Sequence, residues 1–237
     1  MCAFERSEKG MNFNMNKKVK MILCTASIIG IVGVSGIFAY LTDTDMASNK
    51  FTVGKVKIEL QEPKWDSATD ADNNGIPDYA ENIVPNATIE KDPQVKNVGK
   101  NDAYIYLKVT VPAKNVIIAQ EDGTLENNGQ AKVTQLFTYT PSANWKEITS
   151  QRKTNTKADS TEVESYTYVY YYNEKVAPQA TTTTLFDNVK FANIIENQLG
   201  ADENQQINIE AYAIQSDNLP ANTTIEGAYD IYLNQNK

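Results

Sequence analysis

The sequence predicts an all-β chain, an antiparallel β-sandwich with a few short helices, and three observations carry that expectation. After Tyr40, β-branched and aromatic residues alternate with polar ones far more often than apolar residues recur at helical spacing. Turn dipeptides, Asp122-Gly123 and Asn128-Gly129 among them, punctuate these runs. A hydrophobic share of 41% and a charged share of 22% describe an ordinary globular protein that can bury a core.

Taken in order, Phe51, Val53, Val56, Ile58 and Leu60 predict a first strand, with Gly54 as a bulge or bend. Val95 to Val98 and Ala103 to Val111 follow. In the second of these, Ile105, Leu107, Val109 and Val111 share one face, expected to be core, and Tyr104, Tyr106, Lys108 and Thr110 share the other. Further strands are expected at Val133 to Thr140, Trp145 to Thr149, Glu164 to Asn173, Thr182 to Phe191 and Gln206 to Gln215. Ser150 to Thr161 is polar and lacks large apolar residues, so it reads as a mobile surface loop. Short helices are expected near Asn193 to Leu199 and Ile225 to Leu233. The tyrosines at 166, 168, 170, 171 and 172 read as core and surface positions of a strand, because tyrosine buries a large ring and pairs well across sheets.

Composition excludes much chemistry. Among 237 residues there is no histidine, which removes Ser-His-Asp triads, Cys-His pairs and histidine zinc sites. The two cysteines, Cys2 and Cys24, lie before the globular part, so no disulfide framework or thiolate site is expected there. With 30 acidic and 22 basic side chains the net charge is −8, which repels nucleic acid, so no nucleic-acid partner is expected.

Lys17, Lys18 and Lys20 precede an apolar run from Met21 to Ala39, and Thr42, Asp43, Thr44 and Asp45 restore polarity after it. That order predicts a secretory signal peptide over residues 1–39, cut between Ala39 and Tyr40, and an exported chain. Met11 and Met15 offer alternative starts, and a retained anchor would also place the C-terminal part outside. Removing residues 1–39 leaves 17 basic and 28 acidic side chains, a net charge of −11. Such a surface stays soluble by self-repulsion and attracts divalent cations.

Residues 70–81 carry the most specific site pattern. Asp70, Asp72, Asn74, Ile76, Asp78 and Glu81 follow the order of a twelve-position calcium loop, with Gly75 where the sharp turn demands glycine. Calcium takes six to eight oxygens, here from the side chains of Asp70, Asp72 and Asn74, the Ile76 carbonyl, Asp78 through water, and bidentate Glu81. The competing reading is an acidic Asn-Gly turn without metal.

Three stretches go beyond β patterning: Ala39 to Asp45 followed by Phe51 to Val56, Ile89 to Gly99 with Asn101 to Tyr104, and Ile209 to Asp217. Together they resemble the TasA/camelysin family, whose members carry signal peptides cut by a SipW-type signal peptidase, and most of all clostridial BsaA-like biofilm matrix or pilin-like proteins. The resemblance implies a jelly-roll-like sandwich in residues 51–237, secretion to the cell surface or extracellular matrix, and fibres in which one subunit's N-terminal segment completes a sheet of the next. It also implies minor fibre subunits as further partners. The donor here would be residues 40–50, with Tyr40, Thr42, Thr44 and Met46 alternating with Leu41, Asp43 and Asp45. Strand addition at a sheet edge, repeated head to tail without closing, gives a filament.

Four rival expectations are weaker. A monomeric surface-binding module would use the tyrosine-rich sheet or the acidic loops. A camelysin-like metalloprotease finds no histidine and no activated nucleophile, so no enzyme is expected. A lysine crosslink would draw on Lys91 or Lys96, each more simply read as solvated. Leu219-Pro-Ala-Asn-Thr223 resembles a sortase signal but precedes Glu226, Gly227 and Asp230 rather than an apolar tail.

Overall fold

The computed structural model describes the backbone of Thr42–Asp45 and residues 56–200 and 205–236, all within one compact unit, Ala39–Lys237. The expected signal segment, its cleavage site at Ala39 and Tyr40, and donor residues Leu41 and Met46 lie outside the described residues, as do Phe51, Val53 and Gly54.

The elements run β1 (Thr42–Asp45), β2 (Ile58–Gln61), α1 (Pro63–Asp66), β3 (Thr88–Glu90), β4 (Gln94–Asn97), β5 (Ala103–Val116), β6 (Lys132–Gln135), β7 (Phe137–Thr138), β8 (Trp145–Glu147), β9 (Lys153–Thr156), β10 (Val163–Tyr172), β11 (Asn188–Phe191), β12 (Asn208–Gln215) and α2 (Ile225–Gln235). Among the described residues the strands form three antiparallel sheets. The largest has the order β1-β12-β5-β10-β8, with β6 paired to β5 and β9 to β10, and the others are β3-β11-β7 and β2-β4. This is the all-β, sandwich-like fold that the alternation predicts.

The main core sits between the large sheet and the two small ones. Ile105, Leu107, Val109 and Val111 of β5 are fully buried there against Ala211 and Ala213 of β12, Val95 of β4, and Val189 and Phe191 of β11. Each such aliphatic side chain contributes about 1.5–3 kcal/mol by leaving water. Tyr170 belongs to the same core, with Tyr168 and Tyr172 packed against it, so the tyrosine row divides between core and periphery as expected.

The opposite face of β5 is not the solvated face that alternation suggests. Tyr106 is fully buried beneath α2, which adds Ala228, Tyr229 and Tyr232 to a second cluster with Val169, Tyr212 and Ile214. The rings of Tyr106 and Tyr229 lie 4.9 Å apart, and those of Tyr212 and Tyr232 lie 5.2 Å apart. Thr224 caps the helix, its Oγ1 accepting the Gly227 N–H at 3.0 Å, a bond type that adds about 1 kcal/mol.

Other expectations need correction. Residues 150–161 are not simply a loop, since Lys153–Thr156 pairs with Val163–Thr167. A strand edge with no apolar side chain leaves no periodic signal to read. Asn193 to Leu199 forms no helix, because its polar groups serve the chain beyond β5. Ala119 N–H donates to the Asn193 carbonyl at 2.8 Å, and the Gln198 amide takes both the N–H and the carbonyl of Ile117, at 2.6 and 2.8 Å. Thr182 to Asp187 runs beside β4 without forming a regular strand, Thr182 N–H reaching the Val95 carbonyl at 2.9 Å, and only Asn188–Phe191 pairs as one. Of the strand expected over Phe51 to Leu60, the described part is Ile58–Gln61, with Val56 and Lys57 outside it.

Candidate calcium loop and candidate donor-strand edge

The acidic loop hangs from two stems that are tied to the chain around β3. On the first stem, Asp92 accepts the Lys64 N–H through both carboxylate oxygens at 3.1 and 3.2 Å, holding the start of α1. Beside it Lys91 Nζ lies 2.8 Å from Glu62 Oε2 and 4.6 Å from the centre of the Trp65 ring. On the second stem, the Tyr79 hydroxyl donates to the Glu90 carbonyl at 3.0 Å while its ring meets Trp65 edge-on. Lys91 is therefore buried rather than solvated, because the carboxylate and the aromatic face replace its water. An open cleft of about 520 Å³ runs alongside, lined by Lys64, Ser67, Thr69, Asp78, Tyr79 and Glu90.

Within the loop, hydrogen bonds link Asp70, Asp72 and Glu81 to Asn74, while Asp78 bonds Ala71. Asn73 and Gly75 take positive φ, +58° and +86°, which Asn and Gly tolerate, and the chain reverses there. Asp70 accepts the Asn74 and Gly75 N–H groups at 3.1 and 2.9 Å, and the Gly75 bond is foremost in holding its carboxyl below the usual carboxylate range. Asp78 Oδ1 accepts the Ala71 N–H at 2.9 Å. The Asn74 amide donates to Asp72 Oδ2 at 3.0 Å and to Glu81 Oε1, while its Oδ1 accepts the Ile76 N–H at 2.7 Å.

The Asn74 NH₂ group thus stands between two carboxylates, where a cation would otherwise balance their charge. Among the described residues, no three Asp or Glu side chains come together as a ready-made metal site. The oxygen donors that the sequence picks out are present, and the Asn74 NH₂ group rather than its oxygen faces Asp72 and Glu81.

The second candidate is the edge where β1 meets β12. β12 is eight residues long and pairs along all of them with β5, from Asn208 opposite Thr110 to Gln215 opposite Ala103. Lys108 and Glu210, facing each other across that pairing, form an ion pair at 2.6 Å, and the Tyr212 hydroxyl donates to the other oxygen of Glu210. On its outer side β12 carries β1, with Thr42 opposite Ile214, Asp43 opposite Ala213, Thr44 opposite Tyr212 and Asp45 opposite Ala211. Sequence reasoning singled out residues 40–50 as a donor without indicating that Thr42–Asp45 pairs with β12 of its own chain. Ile209 to Asp217 stood out only by resemblance, and nothing local marks a strand as the neighbour of one far away in the chain.

The remaining sequence candidates are absorbed by the fold. Lys96 lies on β4 opposite Glu59. Leu219 packs against the α2 cluster, and Thr223 closes a turn onto the Pro220 carbonyl with its N–H at 3.1 Å and its hydroxyl at 2.7 Å. The buried tyrosines are held protonated: burial pushes Tyr170 and Tyr229 up to about 12, and Tyr106, Tyr139 and Tyr212 higher still. No protein-family model, curated protein or solved structure matches the chain.

Proposed function

We propose that this chain is a secreted structural subunit that polymerises head to tail, by donor-strand exchange, into extracellular fibres of a biofilm matrix. The observation that carries the reading is the position of β1, a short strand near the expected mature N-terminus that lies on the outer side of β12. Cleavage after Ala39, the step assigned to a SipW-type signal peptidase, would leave only Tyr40 and Leu41 ahead of β1. A strand so close to a chain end can be given to another subunit without unthreading the fold. The resemblance to the TasA/camelysin and BsaA-like proteins points the same way, and minor fibre subunits would use the same edge.

Calcium is the ion that the 70–81 loop suits, held by Asp70, Asp72, Asn74, the Ile76 carbonyl, Asp78 and Glu81. It would supply positive charge among these carboxylates and stiffen the loop above β3. No catalytic role is proposed.

The test compares chains beginning at Tyr40 and at Phe51 by size-exclusion chromatography and negative-stain electron microscopy, with and without calcium. Filaments from the longer chain alone support the reading. If both chains remain monomeric under all conditions, the fibre reading loses its mechanism and a monomeric surface-binding module takes its place.

A further inference from the structure

The strand assigned above as donor already occupies the edge of its own chain. β12 is held on its inner side over its full eight residues and by the Lys108–Glu210 pair, so it stays in the sheet whether or not β1 is present. The described part of β1 is four residues, Thr-Asp-Thr-Asp, without a large apolar residue among them. Donor and acceptor are therefore both engaged within one molecule, and the outer side of β12 is covered by the chain's own N-terminal strand over Ala211–Ile214.

We infer that β1 is an autoinhibitory strand: it closes the β12 edge in cis, keeps the exported subunit monomeric, and is replaced in the fibre by the β1 of a second copy in the same register. This rests on the fibre reading and specifies the partner and the control of the same edge. Cis and trans pairing exchange the same backbone bonds, so their balance is set by the tether and by what neighbouring subunits add. Residues 46–55 join β1 to the rest of the chain, and a short tether sets a local strand concentration on the order of millimolar. Dilute subunits therefore remain closed in cis. A net charge of −11 on the exported chain opposes association further, and salt relieves that repulsion. Assembly should begin slowly and accelerate on preformed ends, which present an open β12.

A reversible lock tests this. The chain from Tyr40 has no native cysteine, so Asp43→Cys with Ala213→Cys, which face each other in the register, can form a single disulfide. Asp45→Cys with Ala211→Cys gives a second, independent lock. The oxidised monomer is expected to assemble at least roughly tenfold more slowly than the same protein after reduction, and the reduced arm shows that the substitutions have not damaged the fold. Fibres grown from an equal mixture of Asp43→Cys and Ala213→Cys single variants are expected to yield disulfide-linked dimers between the two. Oxidised and reduced chains polymerising equally fast would overturn the autoinhibition while leaving the fibre reading intact. If the reduced and the unsubstituted chains both fail to form filaments, the fibre reading falls and the exchange falls with it, even though disulfide formation would still report β1 docked on β12.

Discussion

The hydroxyl of Tyr106, near the start of β5, donates to the carbonyl of Ile225, the first residue of α2, at 2.7 Å. That bond joins the centre of the sheet to the start of the helix across 119 residues of sequence. Tyr106→Phe keeps the ring against Tyr229 but leaves the carbonyl without its donor, and should cost about 1 kcal/mol in urea unfolding. Tyr106→Ala also opens a cavity under α2 and should cost about 3–5 kcal/mol.

The same tyrosines predict an alkaline limit. Burial raises their folded-state values above the ordinary 10.0, up to about 12 for Tyr170 and Tyr229, so the folded state keeps protons that the unfolded chain gives up. This contribution is fully present below pH 10.0 and is lost as the pH rises from there through about 12. The melting temperature should fall across that window, together with the rise of tyrosinate absorbance. Tyrosine ionisation complete near pH 10.0 with the fold intact would contradict the burial.

Asn97 is fully buried, and its side chain makes three bonds to backbone. Its amide donates to the Asn101 and Val176 carbonyls, both at 2.8 Å, and its carbonyl oxygen accepts the Gly99 N–H at 2.9 Å. Asn97→Ala leaves all three backbone groups without that partner and should destabilise by about 3 kcal/mol in urea unfolding.

The pair of Lys91 and Glu62 should behave as a buried ion pair. Their side chains are 11% and 16% exposed, and Glu62 Oε1 has no hydrogen-bond partner. Lys91→Met strands the carboxylate and should cost about 3 kcal/mol, whereas adding Glu62→Leu to it should recover most of the loss. A double variant no better than the single one would mean that Lys91 matters through packing on Trp65 instead.

Calcium should raise the melting temperature of the exported chain, by a stabilisation of about 1.4 kcal/mol at ten times its Kd. Asp72→Ala and Glu81→Gln should abolish both that rise and the heat of binding in calorimetry. Asn74→Asp removes the amide donor between Asp72 and Glu81 and should destabilise the loop without calcium, while increasing the gain when calcium is added. No heat and no thermal shift in the unsubstituted chain would leave the loop as an acidic turn.

Much of this was legible in residues that face the main core. Ile105, Leu107, Val109 and Val111 announce their face because alternation is a local property of a half-buried strand, and residues 70–81 stand out because their order follows the spacing of a calcium loop. Lys153–Thr156 was not legible, since all four of its side chains are polar and its strand state comes from pairing with β10. Nor was the burial of Lys91, which depends on Glu62 and Trp65 meeting it from another part of the chain.

By itself the sequence determined the β character of the chain, the inward face of β5, the C-terminal helix and the composition of the acidic loop, because each is written in residues near one another. Only the tertiary structure decided that α2 covers Tyr106, that Asn193 to Leu199 braces the chain beyond β5 instead of forming a helix, and that β1 lies on β12. Those outcomes join segments that are distant in sequence, and their free energy comes from surfaces that exist only once the sheets have assembled.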